Sequence, residues 1–376
     1  MKIKLMRNLS IYIHIPFCIK KCLYCDFLSY PASEKERQAY LELLLSEIEG
    51  QAPFYKGHQV ISVFIGGGTP SVLDGREIEE ILWKLKNNYH LENVLELTIE
   101  VNPGTVTEEK LAAYLRAGIN RLSIGLQSTN EEELQTLGRI HDYRRFCHTY
   151  DMARKMGFHN INVDLMSAIP GQTYDSYKET LKKVLAHEPE HISAYSLILE
   201  EGTWFYEHRK ELTLPSEDED RRLYELTGEM LASHGYHRYE ISNYAKEGYE
   251  CVHNKVYWKR GDYVGFGLGA ASMVEEVRFE NPKTLKDYRT RVRTGVVENK
   301  QALTGEEQME EFMFLGLRLM EGIEKKDFLD KFGVPIENIY GETLAKLRRE
   351  GLIEADEPIR LTPYGVDISN YVMAQF

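Results

Sequence analysis

The chain has 376 residues, of which 43% are hydrophobic and 28% charged, and its formal net charge is −13. This composition predicts a globular protein with one large domain and one or two small ones. The acidic balance argues against nucleic acid as a partner, and no stretch is long and apolar enough to span a membrane. His14 and Pro16 interrupt the first apolar stretch, so we predict no signal peptide and a cytoplasmic location.

Short apolar segments alternate with helical periodicity through the first half of the chain. The apolar segments predict strands, and they cover residues 11–15, 60–65, 94–101, 121–126, 160–165 and 191–197. The segments with helical periodicity cover residues 33–49, 76–88, 108–117, 130–137, 143–156 and 174–186. Strands that alternate with helices predict a parallel α/β sheet with right-handed crossovers. The pattern alone leaves open whether this sheet closes partway into a barrel.

The regular alternation of predicted strands and helices ends at about residue 210. One charged amphipathic helix is predicted over 217–234, and residues 236–272 are rich in Tyr, Gly and Asn. Three further helices are predicted over 304–320, 325–332 and 335–350, ahead of a short strand, turn and strand over 352–361. This order suggests a small winged-helix-like domain. We therefore predict three domains, over residues 1–210, 211–300 and 301–376.

Three of the five cysteines lie close together, at Cys18, Cys22 and Cys25. An odd count in a reducing compartment is a poor framework for disulfides and indicates metal or redox chemistry instead. Three thiolates on one loop leave one iron of a four-iron cluster without a protein ligand, and an amino group and a carboxylate can occupy that position. There are two alternatives. The three cysteines bind zinc together with His14, or they are buried structural thiols that bind no metal.

The other conspicuous residues lie at or near the ends of predicted strands, where parallel α/β folds bind their ligands. Gly66, Gly67 and Gly68 follow the second strand and let the backbone approach a ligand and offer it N–H groups. The remaining ones are Glu100, Gln127, Arg139, Asp164 and Ile198. Each polar residue taken singly is equally well explained as a cap or an ion pair. Together they favour a pocket for a ligand with nucleoside and amino-acid parts.

In their order along the chain, these features resemble radical S-adenosylmethionine (SAM) proteins and, more narrowly, the oxygen-independent coproporphyrinogen III oxidase-like family. The motifs that carry the resemblance are Tyr12-x-His14-x-Pro16-Phe17-Cys18-x3-Cys22-x-Tyr24-Cys25, Gly66 to Pro70, Glu100-x-Asn102-Pro103, Gly125-Leu126-Gln127-Ser128, Gly138-Arg139-x-His141 and Asp164-Leu165-Met166. The resemblance covers residues 8 to about 275 well and the tail more loosely. It implies an α/β fold with a partial (βα)6 barrel, an α+β extension and a small winged-helix-like C-terminal domain.

The resemblance also implies cofactors and site residues. Cys18, Cys22 and Cys25 match the ligands of a 4Fe-4S cluster, and SAM binds the fourth iron. The positions that match SAM contacts are Tyr12, Tyr24, Gly67, Gly68, Thr69, Glu100, Gln127, Arg139, Asp164 and Ile198. In the superfamily an electron from the reduced cluster cleaves SAM to methionine and a 5′-deoxyadenosyl radical, which is cofactor chemistry that the protein positions.

Two further features resemble the HemW-type branch of this family, whose members are thought to act as haem chaperones. Phe27 stands where the oxidases have a fourth cysteine. The segment Cys251-x-His253-Asn254-x2-Tyr257-Trp258 matches a motif associated with haem binding, because His is a usual axial ligand and aromatic rings pack on porphyrin faces. The alternative for this segment is a hydrogen-bonded turn under an aromatic lid. Relatives in the branch often carry His at the position of Ala271, which weakens the inference of haem binding.

The resemblance thus implies a protein that binds a 4Fe-4S cluster, SAM and haem and passes haem to acceptors such as respiratory proteins. It further implies an electron donor, linked to flavodoxin, ferredoxin or NAD(P)H, and leaves a homodimer open. No residue is singled out as catalytic. The first alternative is a coproporphyrinogen III oxidase, which converts two propionates to vinyl groups by oxidative decarboxylation. The second is a structural zinc protein.

Overall fold

The computed structural model describes residues 6–376. The prediction that the chain has no signal peptide depends partly on residues 1–5, which lie outside the described residues. Within residues 6–376, no helix has both the length and the apolar character that a membrane crossing requires.

Six parallel strands form the centre of the molecule and pair in chain order. They are β1 (Arg7–Ile15), β2 (His58–Gly67), β3 (Glu96–Val101), β4 (Arg121–Gln127), β5 (Ile161–Ser167) and β6 (His191–Ser196). The helices between them are α1 (Glu34–Gln51), α2 (Gly75–Asn88), α3 (Glu108–Ala117), α4 (Glu131–Thr136), α5 (Tyr143–Met156) and α6 (Tyr174–Leu185), with short 3-10 turns at Ala52–Tyr55 and Pro70–Val72. The predicted α/β fold with six strand–helix units is confirmed.

The boundaries of these helices follow from local capping. Ser33 begins α1 with a capping box, in which its backbone N–H donates to the Glu36 carboxylate over 2.8 Å. Gly118 and Gly157 end α3 and α5 in the left-handed conformation that glycine adopts without strain. Helix α2 buries one apolar face against the sheet, as the periodicity of its sequence predicts.

The sheet continues beyond the six parallel strands on both sides. The added strands are β7 (His237–Glu240), β8 (Asn243–Ala245), β9 (Tyr263–Phe266), β10 (Ala271–Val274), β11 (Val277–Glu280) and β12 (Gln301–Ala302). The helices of this region are α7 (Trp204–Glu207), α8 (Glu217–Ser233), α9 (Val252–Trp258) and α10 (Leu285–Thr294). Strand β9 lies parallel to β1, and β8 lies antiparallel to β6. We predicted no elements between residues 236 and 272, because strands of three or four residues leave too short a pattern to recognise.

The last part of the chain has a hydrophobic core of its own, which includes Phe328, Ile336, Leu344 and Leu347. Its helices are α11 (Gly305–Gly316), α12 (Lys325–Phe332), α13 (Ile336–Arg349), α14 (Pro363–Asp367) and α15 (Ser369–Met373). Two predictions are wrong here. Helix α11 ends four residues before the predicted end, and residues 352–361 form isolated bridges rather than a strand pair. The bounds of the three predicted domains stay predictions.

Candidate functional site

A cavity of about 360 Å³ opens at the carboxyl ends of the six parallel strands. It brings together eleven residues that the sequence singled out, from the ends of four strands, the cysteine loop and the loop between α4 and α5. These residues are Cys18, Cys22, Tyr24, Cys25, Gly67, Gly68, Thr69, Glu100, Gln127, Arg139 and Asp164. The cavity is therefore the place where the predicted chemistry is assembled.

The cysteine loop follows β1 and is fixed by backbone hydrogen bonds, such as the one from Cys18 N to Tyr30 O over 3.1 Å. All three cysteines are free and partly buried. The Thr69 hydroxyl lies 3.5 Å from Cys18 Sγ, and the Arg139 guanidinium lies 3.6 Å from Cys22 Sγ. Donors at these distances stabilise thiolates, so the loop suits an iron–sulfur cluster held by three cysteines.

The zinc alternative finds less support in the structure. The His14 ring, which would complete such a site, has one nitrogen 2.8 Å from Leu28 O and the other 3.1 Å from the Tyr12 hydroxyl. Among residues 6–376, no group of three or more His, Cys, Asp and Glu side chains is arranged to hold a single metal ion.

The glycine run lies directly against β1 and the start of the cysteine loop. A Cβ atom at Gly68 would lie 2.7 Å from Phe17 O, so only glycine allows this close approach. The N–H groups of Gly68 and Thr69 donate to Ile15 O and Phe17 O, and that of Gly67 donates to Glu100. We predicted that the N–H groups of the glycine run face a ligand, but those of Gly67 and Gly68 are hydrogen-bonded within the chain.

Two carboxyl groups lie in the inner wall of the cavity. Glu100 accepts the hydrogen bond of Gly67 N over 3.0 Å, and burial together with the nearby Asp164 raises the pKa of Glu100 to about 8. Asp164 accepts hydrogen bonds from Ser123 Oγ over 3.1 Å and from Asn162 Nδ2 over 2.8 Å. Burial raises the pKa of Asp164 as well. Both groups are suited to accept hydrogen bonds from hydroxyl or amino groups of a ligand.

Several residues of the cavity wall were not selected from the sequence as contacts. Asn102 accepts a hydrogen bond from the Arg139 guanidinium over 2.6 Å, and Gly125 O accepts another over 2.5 Å. Both residues belong to the quoted motifs, which could have identified them. Ser123 and Tyr195 also line the cavity, but they carry no such signal in the sequence.

Two predicted SAM contacts lie outside the cavity wall. Tyr12 points into the barrel below the cavity and stacks on Phe64, with ring centres 6.3 Å apart. Ile198 lies two residues beyond the end of β6 and is 67% exposed. Their predicted contact with SAM stays a prediction.

The segment that resembles a haem-binding motif forms α9, at the opposite end of the barrel. His253 is 1% exposed, and its Nδ1 lies 2.9 Å from Ser62 Oγ while its Nε2 lies 2.8 Å from the Tyr257 hydroxyl. Burial lowers the pKa of His253 to about 3, so the ring is neutral. Because both ring nitrogens are occupied, His253 does not fit the role of an axial haem ligand in this arrangement.

The other residues of the segment are also engaged in the fold. The Arg318 guanidinium lies 4.2 Å from the centre of the Trp258 ring. The side chain of Asn254 is partly buried. Cys251 is fully buried with its Sγ 3.3 Å from a Glu96 carboxyl oxygen, and burial raises its pKa to about 12. Cys251 is therefore a structural thiol, as the sequence analysis favoured.

Comparisons with known proteins agree with the resemblance in the sequence. A family model described as the radical SAM superfamily matches residues 12–184, and one described as the HemN C-terminal domain matches residues 303–368. A protein named heme chaperone HemW from Lactococcus lactis is 35% identical, over 98% of this chain and 97% of its own. Proteins of the same name from Bacillus subtilis and Escherichia coli are 35% and 34% identical, over 98% of both chains.

A solved structure of similar fold is that of the coproporphyrinogen III oxidase HemN from Escherichia coli, described as a radical SAM enzyme. The TM-score is 0.87 at 26% sequence identity, and the match covers 98% of this chain and 90% of the oxidase. The core and the C-terminal part of the chain therefore share one arrangement with that enzyme.

Proposed function

The chain belongs to the HemW family within the radical SAM superfamily, and from this premise we propose that it is a haem chaperone. It holds a 4Fe-4S cluster and SAM in the cavity at the barrel mouth, binds haem as cargo and delivers it to acceptor haemoproteins, in particular respiratory ones. The relatives named as haem chaperones match nearly the whole chain, including the extension and the C-terminal part.

We assign the cluster to Cys18, Cys22 and Cys25, whose partly buried thiols share one loop with hydrogen-bond donors nearby. We assign SAM to the remaining eight predicted residues of the cavity wall, and also to Tyr12 below the cavity and to the exposed Ile198. When bound, the reduced cluster supplies an electron to SAM. The protein supports this by holding Arg139 against Asn102, which fixes the cavity wall behind Cys22, and by aiming the carboxyl groups of Glu100 and Asp164 at the ligand.

Phe27 is the observation that favours the chaperone over the oxidase. It lines the mouth of the cavity and is 58% exposed, at the position where the resemblance places a fourth cysteine in oxidases. A phenyl ring cannot ligate iron, and it offers an apolar surface beside the cluster loop instead. The coproporphyrinogen III oxidase remains the second candidate, because the fold of such an enzyme matches over nearly the entire chain.

We further propose a cytoplasmic location, where three free thiols stay reduced, and an electron donor linked to flavodoxin, ferredoxin or NAD(P)H. A homodimer is part of the same proposal. Haem is cargo in this proposal and not a resident cofactor, because a chaperone releases what it binds.

Anaerobic reconstitution with iron and sulfide tests the proposal. We expect the loaded protein to bind haem saturably in an absorbance titration. We also expect it to form no protoporphyrinogen IX from coproporphyrinogen III in the presence of SAM and a reductant. The matched control is the Cys18→Ala/Cys22→Ala/Cys25→Ala variant, which lacks the cluster.

Formation of porphyrin product by the loaded protein, but not by this control, makes the chain an oxidase. Absence of saturable haem binding removes the chaperone function.

A further inference from the structure

Helix α9 lies across the amino end of the barrel, opposite the cavity. Glu96 at the start of β3 accepts hydrogen bonds from Val252 N over 3.0 Å and from His253 N over 3.2 Å. The Arg121 guanidinium, at the start of β4, lies 3.9 Å from the same carboxylate, and both side chains are buried. The beginning of α9 is therefore fixed to the first residues of two barrel strands, and the helix forms the floor of the barrel.

A column of rings connects this floor to the cavity. The His253 ring lies 5.2 Å from the ring of Phe64, centre to centre, at an angle of 32°. Phe64 lies directly under Gly66, where an added Cβ would be 2.9 Å from the Phe64 ring and 3.0 Å from the Glu100 carboxyl oxygen. Phe64 and Glu100 thus contact the same point of the backbone. A shift of the His253 ring would therefore reach the carboxyl group in the cavity wall through the side chain of Phe64.

A chain of hydrogen bonds connects the floor to the second carboxyl group. Asp164 is bonded to Asn162, whose Oδ1 lies 2.6 Å from His191 Nδ1. His191 Nε2 lies 2.9 Å from the Tyr239 hydroxyl, which accepts a hydrogen bond from Cys251 N over 3.3 Å. All the members between Asp164 and α9 are buried. Both carboxyl groups of the cavity are therefore supported from α9.

We propose that α9 is the supporting floor of the SAM cavity and that His253 is a positioning residue, which acts through Phe64 on Glu100. This role replaces axial ligation of haem iron by His253, so the iron of the cargo takes its ligands elsewhere. The inference rests on the proposed binding of SAM in the cavity. It requires His253 to remain buried between Ser62 and Tyr257, as the two hydrogen bonds of its ring hold it.

The test compares three substitutions in the anaerobically reconstituted full chain. His253→Ala removes the ring, His253→Asn keeps a polar group where Nδ1 faces Ser62, and Phe64→Leu breaks the column without touching α9. The matched control is His187→Ala, which removes another partly buried histidine packed among aromatic rings, but outside the barrel. The measurements are the Kd of SAM, the electron paramagnetic resonance spectrum of the reduced cluster with SAM, and the haem absorbance titration.

We expect His253→Ala and Phe64→Leu to weaken SAM binding about tenfold, as loss of supporting contacts around a cofactor does. His253→Asn should recover part of this loss. The spectral change that SAM causes in the cluster signal should be reduced in parallel, because a displaced Glu100 alters how the ligand sits. His187→Ala should leave both unchanged. The haem spectrum and haem affinity should be the same in all variants.

Two results overturn the inference: SAM binding that is unchanged in Phe64→Leu, and a haem absorbance spectrum that changes in His253→Ala. If His253→Ala does not fold, SAM binding is judged from Phe64→Leu and His253→Asn. The haem absorbance spectrum is then judged from His253→Asn. Failure of the wild-type protein to bind haem counts against the chaperone function alone. In that case the SAM measurements still test the role of α9.

Discussion

Glu100 shows how a single residue combines a structural and a chemical role. Its carboxyl group holds the glycine run through Gly67 N and lines the cavity. Withdrawal from water and the proximity of Asp164 both disfavour its charged form. At high pH the charged form of Glu100 therefore lowers the free energy of unfolding, and this decrease is measurable.

We predict that Glu100→Gln stabilises the metal-free protein at pH 9 but much less at pH 5. The pKa of Glu100, about 8 in the fold, lies above its ordinary value of 4.5. The folded state therefore takes up a proton between these values, and the wild-type free energy of unfolding falls as the pH rises through this window. Glutamine has no carboxyl group to titrate, so the stability difference grows from pH 5 to pH 8 and then levels off, at about 5 kcal/mol, because each unit between the two pKa values corresponds to about 1.4 kcal/mol.

Urea denaturation of both proteins at several pH values measures this difference. The exposed Glu80→Gln provides the control, since removing a solvated carboxyl group gives a pH-independent change within about 0.5 kcal/mol. A stability difference for Glu100→Gln that does not vary with pH contradicts the prediction.

The sequence located the residues of the cavity better than it located their partners. Cys18, Glu100 and Asp164 lie at or near the carboxyl ends of strands of a parallel sheet, and the rule that ligands bind at these ends placed them together. The partners of His253 could not be found in this way. Ser62 is 191 residues distant in the chain, and nothing in the local sequence indicates that β2 passes under α9.

At the scale of elements, the sequence predicted long elements well and short ones poorly. Helices α3, α5 and α12 have the predicted bounds, because capping residues and apolar periodicity over eight or more residues mark them. Strands β7 to β12 have only two to four residues, too few to give a recognisable pattern, and β8 and β9 are held by pairing with β6 and β1, which are distant in sequence. Helix α9 has seven residues and depends on Glu96 for its beginning, so it too is specified by tertiary contacts.

This dependence predicts that Glu96→Gln destabilises the protein by about 3 kcal/mol, because it leaves the buried Arg121 guanidinium without a charged partner. It also weakens the hydrogen bonds at the start of α9. Glu79→Gln is the matched control, since it breaks an ion pair with Arg116 that is exposed, and such pairs contribute at most about 1 kcal/mol. The free energies of unfolding in urea compare the two. Equal effects of both substitutions contradict the assigned role of Glu96.

At the scale of the whole molecule, the second hydrophobic core is joined to the barrel extension beside α9. Met320 N donates to Tyr239 O over 3.0 Å, and the Arg318 guanidinium covers the Trp258 ring at 4.2 Å. The same arginine pairs with the buried Glu240 over 3.3 Å. The C-terminal part therefore supports the floor of the barrel from outside, and the motif segment lies between the two cores.

Arg260 is the buried link that we expect to couple the two cores. Its guanidinium donates to Glu311 of α11 over 3.0 Å and to Glu276 between β10 and β11 over 2.7 Å, while the side chain is fully buried. We predict that Arg260→Met lowers the free energy of unfolding by about 2 kcal/mol. This is less than the loss expected when one partner of an isolated buried ion pair is removed, because Arg278 and Lys331 still neutralise the two carboxylates. The two cores should then unfold separately, because the buried ionic contact between them is lost.

Differential scanning calorimetry measures this coupling as the number of thermal transitions. Arg260→Met should show an early transition of the C-terminal part, followed by that of the barrel. Arg221→Met is the control, because Arg221 pairs with Asp367 of α14 across the same boundary but is 46% exposed, and such a pair contributes little. If both variants melt in the same number of transitions as the wild-type protein, the cores are coupled by their apolar contacts rather than by Arg260. The distinction bears on the floor of the barrel, since a C-terminal part that separates early removes the outer support of Trp258 before the cavity at the other end of the barrel unfolds.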